Sequence, residues 1–198
     1  MLNRRGFLGA GLLAGVVGLS PAIAKPRKKK RRIRRKRYVL PKRHQPRMVR
    51  LWTRNLKAGE IHVYPREFAL YYTLPRRKAI RYSVGIERKG LYEPGTFFIG
   101  AKKEWPSWTP TKDMIKREPK IYKKFAKGMP GGIRNPLGAR ALYLFTKKRG
   151  DTFLRIHGTT LPRTIGTAVS NGCVRLVNEQ IVELYKRVPM DTKVVLHS

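Results

Sequence analysis

A single cysteine, Cys173, sits in the run Ser170-Asn171-Gly172-Cys173-Val174-Arg175-Leu176, sixteen positions after the histidine of Ile156-His157-Gly158-Thr159. A thiol attacks a carbonyl carbon as thiolate, so it needs a base or a cation close by to lower its pKa. His157 is the candidate partner. A tetrahedral intermediate then needs hydrogen-bond donors where its oxyanion forms, and a residue as small as Gly172 leaves the backbone N–H groups of Gly172 and Cys173 accessible for that purpose. Arg175, two positions on, could hold either the thiolate or a substrate carboxylate. Read from residue types alone, a lone cysteine is equally a small buried hydrophobe and a lone histidine a satisfied structural residue. A metal site is not supported, because His44, His62, His157 and His197 show no ligand spacing with the one cysteine. The acidic residues are scattered, which gives no carboxylate pair.

The elements that must position these groups read mainly as strands. Glu60–Tyr64 and Phe68–Thr73 flank the tight connection Pro65-Arg66-Glu67, and Ala79–Val84 alternates apolar and polar after a turn at Pro75–Lys78, which together give a meander. Gly85 to Gly95 reads as a loop, Thr96–Ile99 as another strand, and Trp105–Pro110 as a surface loop that carries two tryptophans. Thr111 is expected to cap a short helix through Arg117, with Ile121 to Phe125 adding a turn. The glycine- and proline-rich stretch Gly128–Gly138 lacks the Lys and Ser/Thr of a phosphate loop and leads into a strand at Ala141–Phe145. After a turn at Lys147–Asp151, Thr152–Ile156 returns as a strand with His157 at its end. Asn178 is expected to cap a helix with Ile181, Val182, Leu184, Tyr185 and Val188 on its apolar face, and Lys193–Leu196 closes as a strand. The fold class expected is mainly β, an antiparallel sandwich or barrel with one packing helix.

The first residues read as an export signal over 1-24. Asn3-Arg4-Arg5-Gly6-Phe7-Leu8 is a twin-arginine motif, Gly6 to Leu19 is uncharged, and Ala22-Ile23-Ala24 offers a cleavage site. Lys25 to Arg37 carries eleven Lys or Arg in thirteen positions, and such charge opposes threading of an unfolded chain. The twin-arginine route and the bacterial periplasm are therefore expected. An exported chain with one thiol closes no internal disulfide, so Cys173 is buried and inert, paired to another chain, or reactive.

The formal charge is +35. Residues 25-50 hold fifteen basic and no acidic side chains and are expected to be disordered, while 51-198 forms the domain. Nucleic acid is not expected as a partner, because aromatics are not interleaved with the basic run and no recognition-helix or finger pattern is present. Carboxylate-rich cell-wall peptide, anionic lipid or lipopolysaccharide fits the compartment better.

His157-Gly158 with Ser170-x-Gly172-Cys173-Val174-Arg175-Leu176 resembles the signature of the L,D-transpeptidases of the YkuD (ErfK/YbiS/YcfS/YnhG) family. Val84-Gly85 through Pro94-Gly95-Thr96-Phe97 is similar to an upstream element of that family. Trp105–Pro110 with Asn135-Pro136-Leu137-Gly138 is similar to the insert of its proteobacterial members. The likeness spans roughly Gly59 to Leu196. It implies a mostly β domain that cleaves the L,D bond of a tetrapeptide stem in peptidoglycan through a Cys173 thioester and forms a 3→3 cross-link, without a cofactor. It further implies His157 as proton donor and acceptor and Gly158 as the carbonyl that orients the imidazole. Ser170, Asn171 and Arg175 are expected to contact the substrate. Many members have Ser-His-Gly-Cys where this chain has Ser170-Asn171-Gly172-Cys173, so Asn171 is expected to alter acceptor binding or oxyanion geometry. The same thioester could instead pass to water, as in an L,D-carboxypeptidase, or to an outer-membrane protein. From another class comes a non-catalytic basic wall-binding protein with an inert Cys173, which slow alkylation at neutral pH would favour.

Overall fold

The structure, a computed structural model, describes residues 38–88 and 90–198. The expected signal peptide, and the basic segment as far as Arg37, lie outside the described residues.

The meander forms as its alternation dictates. β1 (Arg47–Arg50) is followed by β2 (Ile61–Tyr64), β3 (Ala69–Leu74) and β4 (Lys78–Ser83), and β2, β3 and β4 pair antiparallel in sequence order. β5 (Ile86–Glu87) and β6 (Gly95–Glu104) come next. Two short helices, α1 (Lys112–Arg117) and α2 (Pro119–Tyr122), occupy the insert, and Thr111 Oγ1 caps α1 by accepting from Met114 N–H at 3.2 Å. β7 (Arg140–Thr146) and β8 (Gly150–His157) form a hairpin. β9 (Ala168–Ser170), β10 (Val174–Arg175), α3 (Asn178–Arg187) and β11 (Lys193–Leu196) complete the chain.

Nine strands share one sheet in the order β1-β4-β3-β2-β11-β6-β7-β8-β10, and β5 pairs with β9. Just beyond β4, Gly85 N–H donates to Arg175 O at 2.9 Å and Arg175 N–H donates to Gly85 O at 2.8 Å. The continuation of β4 thus meets β10, the last strand of the order, and the sheet closes on itself around one core. Ile61, Leu70, Tyr82, Ile99, Leu142 and Ile156 fill that core, with Ile181 and Leu184 of α3 packed into it. Full burial of such side chains contributes about 1.5–3 kcal/mol each.

The mainly β class with few helices is as expected, but strand direction is mixed: β11 runs parallel to β2, β10 to β8, and β5 to β9. The expected loop between Gly85 and Gly95 contains β5, whose two residues are too short for a period to register. The strand expected at Thr96–Ile99 continues to Glu104, because β11 and β7 supply backbone partners along its two sides. Gly100 lies at a register shift there, and a Cβ on it would come within 2.3 Å of the Phe145 ring.

Residues 38–50 are not disordered as expected. Leu40 is buried against Ile165 and Val177, and β1 satisfies the outer edge of β4. Arg47, Met48 and Arg50 stay exposed while Val49 packs against a cluster around Leu51 and Tyr71, so the strand's polar composition is no obstacle.

Candidate active site

β8 and β10 build the site. Leu154, Ile156 and Val174 point into the core, and the parallel register pairs Val174 with Ile156 and Arg175 with His157. Register partners share a face and alternate along a strand. Arg175 and His157 therefore lie on the opposite face, and continuing the register by one residue places Cys173 beside Arg155 on that face too. Electrostatics agree, since the charges of Arg155 and Arg175 act on both the thiol and the imidazole.

His157 is 4% exposed, and its Nδ1–H donates to Gly158 O at 2.5 Å. A carbonyl only accepts, so the proton sits on Nδ1 and the Nε2 lone pair is left for chemistry. Burial, followed by the Arg175 charge, lowers the imidazole to about 3, opposed by backbone hydrogen bonds with Gly158 and Leu137. The Cys173 thiol is pushed up to about 11, first by burial, with a hydrogen bond from the Arg155 backbone and the Arg155 and Arg175 charges working against the rise. Thiol and imidazole are thus both neutral at pH 7. Among the described residues no hydrogen bond joins them.

The two arginines have different circumstances. Arg155 is neutralised by Asp151 at 2.7 and 2.8 Å and stacks 4.0 Å from the Tyr143 ring centroid. The Arg175 side chain has no hydrogen-bond or ion-pair partner among the described residues, and its Nε is buried. Desolvation pulls its pKa below the ordinary arginine value.

Ser170 does not stand where a substrate can touch it. It is fully buried, and its hydroxyl donates to Cys173 O at 2.6 Å while accepting from Cys173 N–H at 3.2 Å. Its part is to close the turn that presents the thiol. The same bond engages the Cys173 N–H expected to face an oxyanion, so of the two expected donors only Gly172 N–H lacks a partner among the described residues. Gly172 has φ 114°, while an added Cβ would meet only ordinary contacts, so backbone conformation rather than crowding requires glycine here.

Asn171 is latched rather than free. Its Oδ1 accepts from Arg88 Nη2 at 2.5 Å, and its Nδ2 donates to Tyr122 OH at 2.7 Å. Arg88 also forms a two-pronged pair with Glu118 at 3.1 Å. The residue next to Gly172 thereby ties the α1–α2 insert to the site. Within that insert Trp108 packs edge-on to Tyr122 and Phe125, while Trp105 remains 44% exposed.

Residue types did not reveal the support behind His157. Asn135 is buried, donates to Met129 O and Pro130 O, and accepts from Leu137 N–H at 2.9 Å, which fixes the loop that brings Leu137 to the imidazole. Asn178 does not cap α3 as expected. It is the first helical residue, and its Oδ1 accepts from Ala139 N–H at 3.0 Å, beside Gly138 and Gly158. An asparagine before an apolar helix signals a cap locally, but here the loop before β7 claims its oxygen. Asn178→Ala leaves the Ala139 N–H unpaired, at a cost of about 1–3 kcal/mol. A thermal scan should show a melting temperature about 5 °C lower; an unchanged value would mean that the bond carries no weight.

Against known proteins, the family model described as the YkuD L,D-transpeptidase catalytic domain matches residues 58–196. The probable L,D-transpeptidase YbiS of Escherichia coli K12 is 36% identical over 141 residues, 70% of this chain and 42% of that protein. The putative L,D-transpeptidase from the ATP synthase subunits region of Fuscovulum blasticum is 42% identical over 104 residues, 52% of this chain and 50% of that protein. The chain thus spans about half the length, or less, of these curated relatives. Among solved structures, a Brucella melitensis protein named a probable carnitine operon oxidoreductase is 44% identical, with 79% of this chain and 95% of that chain covered and a TM-score of 0.54. The L,D-transpeptidase 3 of Mycobacterium tuberculosis, crystallised with a faropenem-derived adduct, has a TM-score of 0.52 at 13% identity, covers 71% of this chain and 60% of its own, and shares the fold. The oxidoreductase name stands apart from the other matches, whereas the family model covers the segment that contains both His157 and Cys173. Over residues 58–196 this chain belongs to the YkuD family of L,D-transpeptidase catalytic domains.

Proposed function

We propose that the chain is a cysteine-dependent peptidoglycan L,D-transpeptidase that works in the periplasm after twin-arginine export. The observation that carries the reading is one sheet face with a thiol, an imidazole whose Nδ1–H is held by the Gly158 carbonyl, and a half-buried arginine without a partner among the described residues.

Cys173 Sγ attacks the carbonyl after the third residue of a tetrapeptide stem. Nε2 of His157 takes the thiol proton as the C–S bond forms, then passes it to the nitrogen of the departing D-alanine. The thioester is next attacked by the side-chain amine of diaminopimelate in another stem, which gives a 3→3 cross-link and restores the thiol. Because both resting groups are neutral, the proton moves with bond formation rather than beforehand. Catalytic hydrogen bonds that are open in the free protein close once substrate is held. Arg175 gains a partner when a stem carboxylate binds, which offsets the partial desolvation of its side chain. The oxyanion takes the Gly172 N–H and competes with Ser170 Oγ for the Cys173 N–H, whose 3.2 Å bond is at the long end of the range.

The basic segment ahead of the domain supports electrostatic capture on wall carboxylates, anionic lipid or lipopolysaccharide. The reading is tested by incubating residues 25–198 with purified tetrapeptide muropeptides and analysing the mixture by mass spectrometry. Cross-linked dimer supports the transpeptidase, and tripeptide alone supports transfer to water. If neither forms while Cys173 stays unmodified, no enzymatic reading survives.

A further inference from the structure

Glu87 has no task in the reaction above, yet β5 sets it directly against the catalytic turn. In the β5–β9 pair Glu87 is the register partner of Ser170, and the following residue, Arg88, reaches Asn171. Glu87 is 3% exposed, and its Oε2 is buried without a hydrogen-bond partner. A Cβ placed on Gly172 would lie 3.6 Å from that oxygen, so the missing side chain leaves Oε2 facing the turn that ends in Cys173. The hydroxyl of Tyr92 is likewise buried and unpartnered, and it feels the charge of Glu87, as does the thiol.

An unpaired buried carboxyl is costly, and this chain has 46 Lys and Arg from which a partner could have been drawn. Among the described residues none is supplied, although Glu93, Tyr92 and Cys173 all act on or respond to the group. Burial, then Glu93, raises the carboxyl to about 8, so in the free protein it is kept largely neutral. The acid faces the turn that ends in Cys173, and Arg175 follows the thiol by two residues with its Nε buried; neither has a hydrogen-bond partner among the described residues.

We propose that Glu87 receives the ammonium group of the acyl acceptor beside the Cys173 thioester and so selects a primary amine over water. This deepens the transpeptidase reading and rests on it. As the ammonium arrives, the Glu87 carboxyl releases its own proton to solvent and stands as carboxylate; it then takes one proton from the ammonium, which becomes the free amine. Its nitrogen attacks the thioester carbon, the C–N bond forms and the C–S bond breaks. The second nitrogen proton travels through His157 to the departing sulfur, which leaves an amide, a thiol and a neutral carboxylic acid.

The test is Glu87→Gln, which has the shape of the neutral carboxylic acid and so preserves packing. With tetrapeptide muropeptide as both donor and acceptor, the expected result is a fall of at least about tenfold in the ratio of dimer to tripeptide, a change in partition rather than a general loss. Acyl-enzyme formation, read by intact-protein mass, stays within about threefold of wild type, because the donor does not reach Glu87. Hydroxylamine, a nucleophile that is uncharged at neutral pH, should discharge the acyl-enzyme equally fast in both proteins. An unchanged dimer-to-tripeptide ratio overturns the proposal, and so does an equal loss with hydroxylamine, which would mark a merely structural role. Failure of the wild type to form any acyl-enzyme removes the transpeptidase reading itself, an outcome distinct from either.

Discussion

Cys173→Ala is expected to lower cross-linking of tetrapeptide stems by at least about 10⁴-fold, since removal of a nucleophile eliminates the covalent route and leaves only binding and oxyanion contacts. The chain has no second thiol to substitute for it. The state of the wild-type thiol makes a sharper claim. Burial holds it at about 11 against the pull of Arg155 and Arg175, so the thiolate fraction in the free protein at pH 7 is about 10⁻⁴. Iodoacetamide should label Cys173 slowly at neutral pH, with a rate that climbs about tenfold per pH unit toward pH 10. Slow labelling at neutral pH therefore does not favour an inert wall-binding protein, contrary to the expectation from residue types, because the buried site predicts it for the enzyme as well. Turnover discriminates instead. A Cys173→Ala protein that still forms dimer would refute the thioester, and a labelling rate that is flat and fast from pH 6 to 9 would refute the neutral pair in favour of a resting thiolate.

The second large effect concerns His157. His157→Gln keeps a donor for the Gly158 carbonyl but cannot accept and return a proton, so turnover should fall by about 10³-fold or more. The same substitution changes acid stability in a direction fixed by the pKa. The folded imidazole is depressed to about 3 from 6.5, so its contribution to stability is fully present above pH 6.5 and is lost as pH falls toward 3. Between pH 6.5 and 4 that loss amounts to about 3 kcal/mol. Urea melts of the wild type should therefore weaken more steeply across this window than those of His157→Gln. Equal slopes would mean that His157 is not held neutral by its surroundings.

Local chemistry explains which parts were legible in the sequence. The alternation of Ala79–Val84, the cap at Thr111 and the return of Thr152–Ile156 to His157 each depend on residues a few positions apart, and all formed where expected. For the hydroxyl of Ser170 and the amide of Asn171, the motif shows their proximity to Cys173 but not where their polar atoms point. One is turned inward to the Cys173 backbone and the other is held by Arg88 and Tyr122, partners 83 and 49 positions away.

By itself the sequence determined a β-rich domain and the family, because period, turn chemistry and motif order are properties of neighbouring residues. The tertiary structure alone decided that β11 inserts between β2 and β6, that Gly85 meets Arg175 to close the sheet, and that Glu87 Oε2 and Arg175 Nε are buried near the catalytic turn without partners among the described residues. A period of two assigns each side chain to a face but does not say which distant strand will lie alongside it. Burial, and with it the charge state of every group in the site, follows from that second choice.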